Sequence, residues 1–216
     1  MLAGYRTHEC RQTALKCSRG VGMIEVLVTL FILSIGLLGV ASLQFIGSFS
    51  NADALNRSQA VILNQQLAER LRASAVLSDS GDGLVVNNGY FDQDIYNFSN
   101  LSGCDGGNPY QCYCLALPAD IPDCSAGQCS EAQFAVFDGY QVSCALASSN
   151  PMAQLSLTCT DNNAADGDSC SAGSRHRILL SWPVENWQNI DRELNPICNP
   201  DADAEPQDCV VLDVTL

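Results

Sequence analysis

The strongest constraint on this chain is an uncharged run of 21 residues that begins at Val26 and ends at Ile46. About 20 apolar residues in a helix cross the hydrocarbon core of a bilayer. Thr29, Ser34, Gly36, Gly39, Ser42 and Gln44 dilute the run. Small and hydroxyl residues are tolerated in membrane helices and let neighbouring helices approach closely. A cleaved secretory signal is a poor fit, because its apolar region spans only about 7–15 residues and ends in a small-residue cleavage site. Here the run passes straight into "NADALNRSQAVILNQQLAERLRASAVL".

In that continuation Ala52, Leu55 with Gln59, Leu63, Leu67, Leu71 and Ala75 recur at steps of three and four. This is the spacing of an amphipathic helix. No proline precedes Pro109. One helix is therefore expected from Val21 to Leu77, about 85 Å long at 1.5 Å per residue. The stretch "SDSGDG" (residues 78–83) is expected to stop it. Beyond it, "FAVFDGYQVSCALA" and "MAQLSLTCT" read as two strands around a Ser-Ser-Asn-Pro turn, with "RHRILLSWPV" and "CVVLDVTL" as later strands. The fold class is α+β: a long N-terminal helix packed on a small antiparallel sheet with disulfide-tied loops.

Charge is divided sharply along the chain. The formal net charge is −14, yet Arg6, Arg11, Lys16 and Arg19 place four of ten cations in the first twenty residues. The remaining 196 residues hold six Arg and 23 acids, a net −17. Such a body lacks the clustered cations of a phosphate-binding surface, so no nucleic-acid partner is expected. Positive flanks stay cytoplasmic, which puts the head of the chain inside and its body outside.

Cysteine usage points the same way. Cys10 and Cys17 lie in the basic head. The other ten are Cys104, Cys112, Cys114, Cys124, Cys129, Cys144, Cys159, Cys170, Cys198 and Cys209. Ten cysteines in a Gly/Asn/Asp/Ser-rich body form a disulfide framework and imply an oxidising compartment. Cys144 and Cys159 would face each other across the proposed hairpin, and Cys198 and Cys209 would close a short C-terminal loop. No pair has the C-x₂-C spacing of zinc modules or of redox enzymes, so no metal is assigned. The acidic loops at residues 161–169 and 199–208 do not fit the calcium-loop pattern and read as solvated loops. His8 and His176 have no nucleophile or metal partner in the sequence. No catalytic constellation is present, and no cofactor is expected.

The stretch Arg19-Gly20-Val21-Gly22-Met23-Ile24-Glu25-Val26-Leu27 resembles the class III signal of type IV pilins and pseudopilins. The resemblance implies that prepilin peptidase, in the inner membrane, cuts between Gly20 and Val21. It also implies N-methylation at Val21 and a subunit-docking role for Glu25, the fifth residue after the cut. The first mature residue is usually Phe in that family; here it is Val. Glycine before the scissile bond leaves room for close approach. A carboxylate buried among packed helices needs a partner; the amine released at Val21 is the nearest candidate. Any softening of the helix would rest on Gly36 and Gly39, since the usual proline is missing.

Within that class, "GVGMIEVLVTLFILSIGLLGVASLQ" and the later "ALNRSQAVILNQQLAERLRA" and Trp182 resemble the PilV family, the type IV pilus modification proteins. The resemblance implies a minor pilin that is an enzyme's substrate and no enzyme itself. Its partners would be other minor pilins, the major pilin and a tip adhesin. It would start as a single-pass inner-membrane protein with its C-terminus in the periplasm and end on the pilus. There it would prime assembly and support adhesion and twitching motility. The domain layout is a leader at 1–20, a transmembrane half-helix at 21–46, an amphipathic half-helix at 47–78 and a cysteine-rich head at 79–216. A type II secretion pseudopilin of the I type, or a membrane-anchored disulfide-rich binding module, would use the same parts.

Overall fold

The computed structural model describes residues 22–125, 127–163, 165, 169–184, 193–201 and 203–216. Contacts divide the chain into two units, Met1–Ser50 and Asn51–Leu216. A single helix, α1 (Met23–Ser74), contributes to both.

In the first unit, α1 has the length and composition of a membrane-crossing segment, with none of its apolar window buried. The hydroxyls that dilute it are satisfied locally. Thr29 Oγ1 donates to the Val26 carbonyl at 2.9 Å, Ser34 Oγ to Leu30 at 2.7 Å and Ser42 Oγ to Leu38 at 2.9 Å. In a bilayer, where an unsatisfied polar group is costly, these three hydroxyls would enter already bonded.

In the second unit, α1 buries Ala60, Leu63, Asn64, Leu67, Ala68 and Leu71. Leu67 and Leu71 are fully buried and pack with Leu155, Leu157, Ile178 and Leu180 of the sheet. Each such burial contributes about 2 kcal/mol. Ala52 and Leu55 lie on the expected stripe; Leu55 is exposed, while Ala52 is exposed too. The helix ends at Ser74, three residues before the expected stop, because Val76–Leu77 (β1) pairs antiparallel with Leu84–Val85 (β2). Gly81, at φ +72°, makes the tight turn between them.

Two 3₁₀ turns (Asn88–Phe91, Gln93–Ile95) and the short α2 (Pro109–Tyr113) lead to α3 (Glu131–Ser149). The segment expected to be a strand is this helix. Ser130 caps it in a capping box with Gln133, satisfying two end groups reciprocally. Gly139 allows α3 to approach the second 3₁₀ turn: a Cβ there would lie 2.9 Å from the Ile95 carbonyl oxygen.

The sheet is three-stranded and antiparallel, in the order β3 (Gln154–Thr160), β4 (Arg175–Pro183), β5 (Gln207–Thr215). Leu155 pairs with Leu180 and Leu157 with Ile178; across the other ladder Ile178 pairs with Leu212 and Leu180 with Val210. This is the α+β, pilin-like architecture: a long N-terminal helix, antiparallel strands and a disulfide-rich C-terminal region.

Candidate functional site

Glu25 lies in the first turn of α1, where the partial positive charge of a helix N-terminus favours a carboxylate. Its N–H donates to the Gly22 carbonyl at 2.9 Å. The side chain is exposed, as are its neighbours Met23, Ile24 and Leu27. Among the described residues no cation forms an ion pair with it. A carboxylate amid apolar side chains that enter a bilayer or a helix bundle needs a partner from outside this set. Gly20 and Val21, the expected cut site, lie outside the described residues, as do Cys10, Cys17 and His8.

Ten cysteines of the second unit form five disulfides: Cys104–Cys112, Cys114–Cys144, Cys124–Cys129, Cys159–Cys170 and Cys198–Cys209. Cys144 does not join Cys159. The hairpin that would have set them opposite is absent, because Cys144 is on α3 while Cys159 is on β3. Cys144 instead ties α3 to the loop after α2, with 5.6 Å between the Cα atoms of Cys114 and Cys144.

No sequence signal indicates that His176 meets a disulfide. Alternation along β4 turns the imidazole inward, where it is 2% exposed and its Nε2 lies 3.3 Å from Cys170 Sγ. Burial pushes the imidazole pKa below its usual range. Cys159, Cys170 and His176 bring three ligand-type atoms within 4.8 Å. Metal ligation by cysteine needs a thiolate, and both sulfurs here are spent in a disulfide.

The loop beside that disulfide is ordered by Asp161. Its carboxylate accepts from the Ser171 hydroxyl at 2.7 Å, the Ser171 N–H at 3.0 Å and the Ser174 hydroxyl at 3.1 Å. These donors hold its pKa down at about 2. All three donors converge on one carboxylate oxygen, Oδ1. The C-terminal acidic loop is closed by Asn199, whose side chain bonds the Gln207 carbonyl and N–H, each at 2.8 Å.

A polar network that spacing did not reveal joins α1 to α3. Arg70 donates to Asp138 and, at 2.7 Å, to Gln141. The Tyr90 hydroxyl donates to the other Asp138 oxygen at 2.6 Å. Burial and the adjacent carboxylate hold the Tyr90 phenol protonated far above its usual range. Arg70 and Asp138 are 68 positions apart along the chain, so only tertiary folding joins them. The network ties α1, the first 3₁₀ turn and α3 together through polar side chains that satisfy one another.

Residues 15–41 match the family model of the prokaryotic N-terminal methylation motif. The match brackets Gly20, Val21 and Glu25 and ends inside the apolar run. Neither a search of curated proteins nor one of solved structures found a match. The motif supports a type IV pilin-like or pseudopilin-type protein, which is a membrane-anchored substrate of prepilin peptidase that assembles with other pilins.

Proposed function

We propose that the chain is a minor pilin of a type IV pilus, of the PilV kind. In this reading residues 1–20 are the leader, removed by prepilin peptidase between Gly20 and Val21, and Val21 is then N-methylated. Residues 21–46 anchor the precursor in the inner membrane with its N-terminus in the cytoplasm, and 47–78 carry the head, 79–216. Extraction from the membrane buries the exposed apolar half of α1 among neighbouring pilin helices, where packing and polar contacts drive association. Glu25 then pairs with a Val21 amine and fixes the axial register of adjacent subunits. The subunit joins other minor pilins at or near the filament tip, beside an adhesin, and supports assembly, twitching motility and adhesion.

The observation that carries this reading is the methylation-motif match at 15–41, which contains a glycine–glutamate spacing of five residues. The resemblance of residues 20–44 to PilV favours the pilus over a secretion pseudopilin.

Intact-mass spectrometry of the full chain co-expressed with prepilin peptidase tests it. The expected mature protein starts at Val21 and carries one added methyl group. A protein that retains Met1 to Gly20 ends the reading. In the same system Glu25→Ala is expected to be cleaved normally yet to be depleted from sheared pili. Normal incorporation would remove the docking role of Glu25.

A further inference from the structure

The Cys159–Cys170 disulfide closes a loop that other bonds already close. Cys159 stands opposite His176 in the β3–β4 ladder, so strand pairing fixes its place. Asp161, just beyond Cys159, bonds Ser171 and Ser174 on the far side of the loop. The Asn162 side chain donates to the Ala172 carbonyl at 3.0 Å. These bonds hold the flanks of the two sulfurs together without the covalent link. Cleavage of the S–S bond therefore leaves the sulfurs adjacent and able to rejoin.

The two sulfurs differ in their surroundings. Cys170 is 2% exposed, while Cys159 is half-buried. His176 Nε2 lies 3.3 Å from Cys170 Sγ, and Phe91 packs against the imidazole. Thiol–disulfide exchange is fastest when the attacked sulfur is accessible and the departing thiolate is stabilised. An adjacent imidazole stabilises a thiolate, and an adjacent thiolate raises the proton affinity of an imidazole. Access selects Cys159 for attack, and His176 selects Cys170 for departure. Both preferences polarise the same S–S bond in the same direction.

Cys198–Cys209 is the internal contrast. It has the same sequence separation of 11, and both of its cysteines are buried. The polar side chain at Cys198 Sγ is that of Asn199, with Nδ2 at 3.5 Å. A carboxamide donates a hydrogen bond but, unlike an imidazole, takes up no proton near neutral pH.

We infer that Cys159–Cys170 is a thiol-exchange site, at which a low-molecular-weight thiol is joined to Cys159. The incoming thiolate attacks Cys159 Sγ. A new S–S bond forms there as the Cys159–Cys170 bond breaks, and the electron pair of the broken bond goes to the Cys170 sulfur. The proton that the incoming thiol lost to water returns to the Cys170–His176 pair, shared between Sγ and Nε2. The incoming thiol is oxidised into a mixed disulfide, and Cys170 is reduced. Return of the Cys170 thiolate onto Cys159 expels the small thiol and restores the resting bond. A second small thiol that attacks the adduct instead departs with the first as their own disulfide and leaves both cysteines reduced. The site does not involve residues 1–20, so a chain that keeps its leader would end the pilin reading and leave this one standing.

The test treats the full chain in detergent micelles with 2-mercaptoethanol. Samples are quenched with acid and N-ethylmaleimide and mapped by peptide mass spectrometry without reduction. Cys159–Cys170 is expected to open at least about tenfold faster than Cys198–Cys209, with mercaptoethanol on Cys159 and maleimide on Cys170. His176→Phe is expected to slow that opening by at least about tenfold and to leave Cys198–Cys209 unchanged. Should the variant loosen the fold, so that Cys198–Cys209 also opens faster, the wild-type adduct map decides. Mercaptoethanol found on Cys170, or equally on both sulfurs, overturns the inference. So does opening no faster than that of Cys198–Cys209, or an unchanged rate in a folded His176→Phe chain.

Discussion

His176 sits where an imidazole carries its charge poorly. It is packed against Phe91, with 5.6 Å between ring centroids, and against the Cys159–Cys170 disulfide, which does not titrate. Because burial lowers its folded pKa, the folded state favours the neutral ring. Its contribution is complete above the unfolded value of about 6.5 and is lost as pH falls from there toward the lowered folded value. The thermal midpoint of the wild type is expected to drop between pH 7 and pH 5, and His176→Phe is expected to flatten that drop in a melting series. Asp161 does not interfere, since its carboxylate is held at about 2 and loses its contribution only as pH falls from about 4 toward 2. In the sequence His176 stands between two arginines with no partner in view. Alternation along β4 turns those arginines out and the imidazole in, which is a property of the paired sheet.

At the scale of elements, the disulfides are unequal. Cys114 and Cys144 are 30 residues apart in sequence, and Cys124 and Cys129 only five. Closing the longer loop removes more freedom from the unfolded chain, about 3–4 kcal/mol against about 2 kcal/mol for the shorter. Urea unfolding of Cys114→Ser/Cys144→Ser is therefore expected to show the larger loss, and Cys124→Ser/Cys129→Ser the smaller. Equal losses would mean that the α2–α3 tie contributes no more than a local staple. The helix bearing Cys144 was the element least legible in the sequence. Phe134, Val136, Tyr140 and Val142 suggest a strand by residue type, and α3 buries Ala135, Phe137, Gly139, Tyr140, Val142 and Ser143 around much of its girth. With apolar contacts on so many sides, a 3.6-residue period is weak. The decisive local signal was Ser130 with Gln133, a cap that reads as a helix start only in combination with the apolar residues from Phe134 onward.

For the whole molecule, the division at Ser50 separates a segment in which no described residue is buried from one with its own core. The second unit holds the sheet, α3, the buried face of α1 and all five disulfides. Residues 51–216 produced alone in an oxidising compartment are expected to fold cooperatively, with one unfolding transition and no detergent requirement. A molten fragment by near-ultraviolet circular dichroism would show that the apolar half of α1 is needed for folding. Leu67→Ala in that fragment is expected to cost about 2–5 kcal/mol, the range for emptying a fully buried leucine site.

Some features of the chain were legible before any folding: the long helix with its apolar run and its buried stripe, the Gly20–Glu25 spacing and the disulfide framework of the ten later cysteines. Each depends on order along the chain: an uninterrupted run, a repeat of three and four, a fixed offset, a count. Folding in three dimensions chose which cysteines meet, made Arg70 and Tyr90 share Asp138 and buried His176 against a disulfide. These are contacts between distant segments, set by how α3 and the strands close over α1. The same residues packed another way would keep every local signal and change all of these pairings.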